Sequence, residues 1–200
     1  MDRHAIIPSQ QVGQQTDAEE KKVFPDSEAA KKYYGQARLR FVNINEWHKI
    51  SLVEASRFTL FDSTGKAKKG AVALGDYMRI DIPGPGSDDG HGFDWVHIEH
   101  LEEEEDESSD EEILFFAARP SAPAGEMGIV AHFFTSQASS TFILHRKANI
   151  VFAAVHGRNE VPNLVAGSLL DKTRNLLINA GSLAGASFTQ WHILLKGILD

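Results

Sequence analysis

The sequence contains no cysteine, and this absence excludes several kinds of chemistry. Disulfide bonds, thiolate catalysis and zinc sites built on cysteine all need that side chain. A chain without cysteine also suits a reducing compartment, and residues 1–22 contain no apolar run of the kind found in signal peptides. We therefore expect a cytoplasmic protein.

Long apolar runs are absent as well. No segment approaches the roughly 20 consecutive apolar residues that a membrane-spanning helix needs. Basic side chains are not concentrated on any stretch of the 200 residues, which argues against contacts with nucleic-acid phosphates. We expect neither a membrane nor a nucleic acid as a partner.

The acidic charge is largely confined to one segment. The formal net charge is −8, but residues 102–112 hold nine of the 28 acidic side chains and no basic one, which leaves 19 acidic against 20 basic residues elsewhere. Crowded carboxylates repel one another and are typical of a solvated segment. They also lack the alternating spacing and glycine of a calcium loop. The sequence predicts a disordered acidic loop at 102–112.

The first 26 residues differ in composition from the rest of the chain. They are polar and glutamine-rich with two prolines, so they offer little apolar surface to offset the entropy of ordering. We expect a flexible polar tail over 1–26. Residues 27–200 are expected to form a single α+β domain, because this length and an apolar fraction of 42% are typical of one globular unit.

Apolar patterning and turn residues predict the elements of that domain. A short helix is expected over 27–35 and a strand over 37–43, followed by one helical turn in NEWHKI. Apolar residues at helical spacing predict C-terminal helices between Leu169 and Ala180 and from Ser187 onward. The expected fold is a curved antiparallel sheet, open or closed into a small barrel, that C-terminal helices cover. Its strands lie in RFTLFDSTG, GDYMRIDIPG, FDWVHIEHLE, EILFFAARP, GIVAHFF, STFILHR and NIVFAAVHG.

The densest polar cluster lies where the last predicted strand gives way to the helices. His156, Arg158, Asn159 and Glu160 could supply a base, an anion-binding fork and an amide within one short turn. A structural interpretation of the same residues is a local ion pair between Arg158 and Glu160 beside a helix cap. We predict these four residues as ligand-binding and assign no catalytic residue.

Histidines are the other candidates for chemistry. If Phe134 pairs with Thr141 across a hairpin, His132 and His145 become diagonal neighbours on one face. No carboxylate accompanies them at a ligand spacing, and the glycines of residues 83–92 do not match a nucleotide-binding pattern. We therefore predict no metal and no cofactor.

Three stretches, AHFF (131–134), STF (140–142) and HGRNEVPN (156–163), resemble those of an uncharacterised family of bacterial proteins. That resemblance implies no activity. The order of predicted elements resembles the helix-grip arrangement of ligand-binding proteins of the START and Bet v 1 type, which implies a curved antiparallel sheet closed by a long C-terminal helix.

The leading functional hypothesis is a non-enzymatic domain that binds an apolar small molecule or a protein partner. Aromatic side chains are available for the concave face of the sheet, and no reaction centre is recognised. The small-molecule form requires a cavity above roughly 300 Å³ between sheet and helices. The aromatic candidates are Phe58, Phe61, Trp95, Phe115 and Phe152.

Two further hypotheses stay open. A hydrolase or cyclase would use His156 and Glu160, or the His132 and His145 pair, as acid and base, and it requires His156 and Glu160 to face one pocket. An assembly or adaptor protein would contact other chains through the glutamine-rich tail and the acidic loop. The sequence leaves the ligand and the oligomeric state open.

Overall fold

The computed structural model describes residues 6–50, 56–82, 88–164 and 184–200. Three helices lie at Ser27–Val42 (α1), Trp47–Ile50 (α2) and Ala184–Ile198 (α3), with 3₁₀ turns at Ile44–Glu46 and Asp88–Gly90. One antiparallel sheet contains the seven strands Gln14–Val23 (β1), Arg57–Phe61 (β2), Tyr77–Asp81 (β3), Asp94–Asp106 (β4), Glu111–Pro120 (β5), Ser139–Lys147 (β6) and Ile150–Glu160 (β7).

The strands follow the spatial order β1-β7-β6-β5-β4-β3-β2. Strands β1 and β2 are therefore the two edges of a curved open sheet, and the small-barrel alternative does not apply. Helices α1 and α2 connect these edges, and α3 follows the last strand. This is the helix-grip arrangement, and the predicted α+β fold is confirmed.

Helix α1 continues past Gly35, so the strand predicted over 37–43 is wrong. Gly35 lies on the open side of the helix, where an added Cβ would meet nothing within 4 Å. The low helix propensity of glycine, about 1 kcal/mol, is outweighed by a stripe of buried residues at helical spacing. That stripe consists of Ala30, Tyr34, Ala37 and Phe41.

The flexible tail predicted over 1–26 needs correction, because Gln14–Val23 form β1. This strand pairs with β7 in a register that runs from Gln14 opposite Glu160 to Val23 opposite Ile150. Only Ala18 is buried. An edge strand with one core residue and five charged side chains has a polar composition, and composition alone therefore indicates a tail.

Residues 6–12 form a segment that we call the N-terminal strap. Its Ile6 and Ile7 pack against a cluster of buried residues on the face of the sheet opposite the helices, which we call the outer face. The centre of the sheet is thus covered on both faces, and the uninterrupted apolar run in β5 is typical of such a strand. The cluster contains Ile113, Phe115, Ile143 and Ala154.

The acidic segment 102–112 is not a disordered loop. It forms the end of β4, a turn and the start of β5. Arg38 of α1 binds Glu103 through two hydrogen bonds of 2.5 and 2.6 Å, which hold the pKa of Glu103 below its usual value. Lys31, two turns earlier, binds Glu105 at 2.6 Å. The positive charges that the acidic segment itself lacks therefore come from α1, which is distant in sequence.

The C-terminal part agrees only partly with the prediction. The helix predicted from Ser187 onward is α3, which begins at Ala184 and buries Leu194, Leu195 and Ile198. The helix predicted between Leu169 and Ala180 lies outside the described residues. Residues 128–134 form no strand, and Phe134 makes only an isolated bridge to Pro162. The single domain over 27–200 stays a prediction. Within the described ranges, no helix is long and apolar enough to cross a membrane.

Candidate ligand-binding pocket

A pocket of about 80 Å³ lies between α3 and the inner face of the sheet, which is the face that the helices cover. Its floor consists of the buried apolar residues Met78, Val96, Ala118 and Phe142. Towards solvent it is lined by the partly exposed Ile80, Phe133, Phe134 and Trp191. Five polar residues complete the lining: Gln14, Thr16, His132, Ser140 and Glu160.

Glu160 lines this pocket because the side chains of β7 stop alternating between the two faces of the sheet just before this residue. The inner-face residues Val151, Ala153 and Val155 alternate with outer-face residues. Asn159 then adopts a left-handed conformation with φ 56°, opposite a register shift of β1 between Gln14 and Thr16. The alternation between the two faces shifts by one residue at Asn159, so the side chain of Glu160 lies on the inner face.

The carboxylate of Glu160 is half-buried above Gly157. A Cβ at that position would come within 2.0 Å of Glu160 Oε1, so only glycine leaves room for the carboxylate. Thr16 Oγ1 donates a hydrogen bond of 2.9 Å to Glu160 Oε2. Burial raises the pKa of Glu160 above its usual value. No basic side chain in the described part of the chain forms an ion pair with it.

His132 reaches the pocket from the loop between β5 and β6. The backbone N–H of Phe134 donates to His132 Nδ1 at 2.9 Å, which places the proton of a neutral ring on Nε2. Asn163 holds this loop by donating to the carbonyl oxygens of Val130 and His132 at 3.0 and 3.1 Å. His145 lies on the outer face, 2.6 Å from Glu111, so the predicted pairing of His132 with His145 is wrong.

His156 and Arg158 lie on the outer face, away from the pocket. Both bind Asp17 of β1, His156 Nδ1 at 2.6 Å and Arg158 Nη2 at 2.7 Å. Burial alone would raise the pKa of Asp17, but the hydrogen bonds from these two residues hold it below its usual value. The geometry therefore contradicts acid–base chemistry shared by His156 and Glu160, which face opposite sides of the sheet. It also contradicts a local ion pair between Arg158 and Glu160.

Asn159, the fourth predicted site residue, holds the N-terminal strap in place. Its Oδ1 accepts hydrogen bonds from the backbone N–H groups of Gln11 at 2.8 Å and Val12 at 3.1 Å. Its Nδ2 donates to the carbonyl oxygen of Ser9 at 3.3 Å, and its backbone N–H donates to Gln10 Oε1 at 2.9 Å. Of the four predicted ligand-binding residues, the structure brings only Glu160 to the pocket.

Removing the Asn159 side chain is expected to loosen the strap. Asn159→Gly keeps the left-handed backbone free of strain but removes three hydrogen bonds, each worth about 1 kcal/mol. We expect amide exchange at Gln11 and Val12 to accelerate at least about tenfold, measured by NMR. Asn159→Asp, which retains the Oδ1 acceptor, serves as the control and should exchange more slowly than the glycine variant. Unchanged protection in Asn159→Gly would contradict the anchoring role.

Sequence reasoning missed most of the pocket. Thr16 lies in the predicted tail, and Ser140 and Phe142 lie in a predicted strand and in the STF stretch, with no predicted role in binding. Among the aromatic residues proposed for the concave face, only Phe58 packs against the inner core. Phe115 and Phe152 lie on the outer face, and Phe61 and Trp95 form a separate cluster. The signal that could have identified Trp191 was its place on the apolar stripe of the last helix.

The described residues contain no group of three or more histidines and carboxylates that could hold a metal ion. His97 and His100 do share the outer face, because β4 has a register shift between Ile98 and His100. Their rings are packed, however, against Tyr77 and Phe115 respectively. The prediction that no metal is bound stays a prediction.

No protein-family model matches the chain, and no curated protein matches it. A solved structure of ginseng major latex-like protein 151 from Panax ginseng is 11% identical, covers 87% of this chain and 98% of its own, and has a TM-score of 0.33. Ara h 8.0201 is 10% identical, with coverage of 93% and 99% and a TM-score of 0.33. A protein from Staphylococcus epidermidis is 10% identical, with coverage of 94% for both chains and a TM-score of 0.35.

TM-scores this low carry no argument about this chain. The helix-grip fold stated above rests on the element order and the strand order alone. The resemblance to an uncharacterised bacterial family stays a prediction, as does the cytoplasmic location.

Proposed function

We propose that this protein binds a small amphipathic molecule in the pocket between the inner face of the sheet and α3. One observation carries the proposal: polar side chains from three adjacent strands converge at the edge of one apolar floor. They are Thr16 of β1, Glu160 of β7 and Ser140 of β6. An apolar cavity with a few convergent polar groups is the usual form of a small-molecule site.

The size of the pocket limits the ligand. A volume of about 80 Å³ is well below the roughly 300 Å³ that the hypothesis of a larger apolar ligand requires. The space between sheet and helices is filled by packed aromatic rings, with Trp47, Phe116 and Phe142 in mutual contact. Only a short apolar group is buried, and the polar end of the ligand lies at the partly exposed edge.

The other hypotheses have less support. An enzyme that pairs His156 with Glu160 is contradicted by their positions on opposite faces. An adaptor that presents its acidic segment as a docking surface is weakened because Glu103 and Glu105 are already bound to α1. Binding of a protein partner stays a prediction that no particular contact favours.

The proposal is tested by titrating 1-butanol into ¹⁵N-labelled protein. We expect saturable shifts of the Trp191 indole N–H and of amides that line the pocket, with a dissociation constant of about 1 mM, as suits a ligand with five non-hydrogen atoms. Ser140→Leu places a larger side chain in the pocket and should weaken binding at least tenfold. The matched control Ser136→Leu changes an exposed serine of the neighbouring loop and should bind normally.

Two results would overturn the proposal. Shifts that grow linearly without saturation would mean that butanol acts only as a solvent. Equal binding by Ser140→Leu and Ser136→Leu would place the bound molecule somewhere other than this pocket.

A further inference from the structure

We infer that the ligand carries a primary amine, held as an ammonium ion by Glu160, with a short alkyl group on the apolar floor of the pocket. This inference rests on the proposed function and names the chemical class of the ligand for the same site.

The first argument is that no cationic side chain among the described residues contacts the Glu160 carboxylate, although Arg158 attracts it from a distance. Its one hydrogen bond among the described residues comes from the neutral hydroxyl of Thr16. The nearby carboxylate of Asp17, in contrast, binds both His156 and Arg158 on the outer face. A carboxylate on an apolar pocket without a cationic partner is unfavourable. A ligand ammonium supplies that partner.

The second argument is the aromatic lining. Trp191 meets Phe142 edge to face, with ring centroids 5.5 Å apart and planes at 80°. Phe133 and Phe134 line the same pocket. Aromatic faces attract a cation by about 0.5 to 2 kcal/mol, and they offer nothing comparable to an anion.

The third argument concerns the remaining N–H groups of an ammonium. Thr16, Ser140 and Gln14 each carry an oxygen that can accept a hydrogen bond, and all three line the pocket beside Glu160. Among the described lining residues, His132 is the one other titratable group, and its Nδ1 is occupied as an acceptor for the Phe134 amide. The pocket therefore combines one negative charge with several acceptors and an apolar floor.

The test compares three butyl compounds of similar shape at pH 7: butylamine as its ammonium ion, 1-butanol and butyrate. Binding is followed by NMR at the Trp191 indole and the Gly157 amide in the 200-residue chain. We expect butylammonium to bind at least tenfold more tightly than butanol, and butyrate to bind most weakly. Glu160→Gln should remove the preference for the amine, so that this variant binds butylammonium no more tightly than butanol. Glu107→Gln, at the exposed turn between β4 and β5, is the charge-matched control and should retain the preference.

The outcomes separate this inference from the proposed function. If butanol binds and butylammonium shows no advantage, or if butyrate binds best, the amine inference is overturned while the binding function stands. The same holds if Glu160→Gln keeps the full preference for the amine. If none of the three compounds gives saturable shifts, the proposed function fails, and the amine inference fails with it.

Discussion

Replacing Arg146 with alanine is expected to lower the free energy of unfolding by about 3 to 5 kcal/mol. The Arg146 side chain is only 2% exposed, and it binds Glu112 and, at 2.7 Å, Asp110. It also donates to Ser27 Oγ at the start of α1 at 3.2 Å. Truncation leaves the carboxylate of Glu112, itself 13% exposed, without its bound cation in a largely buried site. Denaturation by urea, followed by circular dichroism, measures the change.

Two further variants identify the source of this effect. Lys147→Ala is the control, because Lys147 is 62% exposed and stands 4.0 Å from Glu111, so its loss should change stability by less than about 0.5 kcal/mol. The double variant Arg146→Met with Glu112→Leu removes both buried charges and should recover most of the lost stability. If the double variant were as unstable as Arg146→Ala, the penalty would come from the lost hydrogen bonds to Ser27, Asp110 and the Ala148 carbonyl oxygen and not from the unpaired carboxylate.

Trp47→Ala is expected to have an effect of similar size, about 3 to 5 kcal/mol. Trp47 is fully buried between α2 and the sheet, where its ring lies 5.4 Å from that of Phe58 and 5.5 Å from that of Phe142. Its Nε1 donates to the carbonyl oxygen of Arg40 at 3.2 Å. Truncation opens a cavity at the centre of the aromatic cluster that the surrounding rings cannot fill.

Trp191→Ala is the matched comparison for this variant. Trp191 contacts two of the same rings, Phe58 and Phe142, but it is partly exposed at the pocket edge. We expect a smaller loss of stability in urea denaturation together with loss of ligand binding, whereas the residual folded fraction of Trp47→Ala should still bind. Equal destabilisation by the two variants would contradict this division between core and pocket wall.

The sequence predicts a strand well when the strand's own residues alternate between apolar and polar and turn residues follow it. Strands β2 to β7 each overlap a predicted strand segment, and β3 pairs with β4, the next strand along the chain. The predicted helix is shorter than α1 because glycine, here Gly35, often follows the last residue of a helix. In addition, the residues after Gly35 alternate between apolar and polar as in a strand. The buried stripe that extends the helix becomes visible only once Ala37 and Phe41 are seen to face the same core as Ala30.

The remaining errors come from partners that are distant in sequence. Nothing near residues 102–112 indicates that Lys31 and Arg38 will neutralise part of their charge. Strand β1 has an edge composition that is recognised only when β7 is beside it. For the pocket, Glu160 was identified as part of a polar cluster, but its face was not predictable. The left-handed backbone of Asn159, which separates Glu160 from His156 and Arg158, has no signature in the alternation of the strand.

The N-terminal strap has a consequence for how the protein behaves in solution. This sheet has apolar residues at the centre of both faces, so neither face can be left in contact with water at little cost. A chain shortened to begin at Gln14 would keep all seven strands and the three described helices, yet it would expose Ile113, Phe115 and Ile143. We expect two such chains to bury these residues by stacking their outer faces, so residues 6–12 should oppose self-association without taking part in the fold's topology.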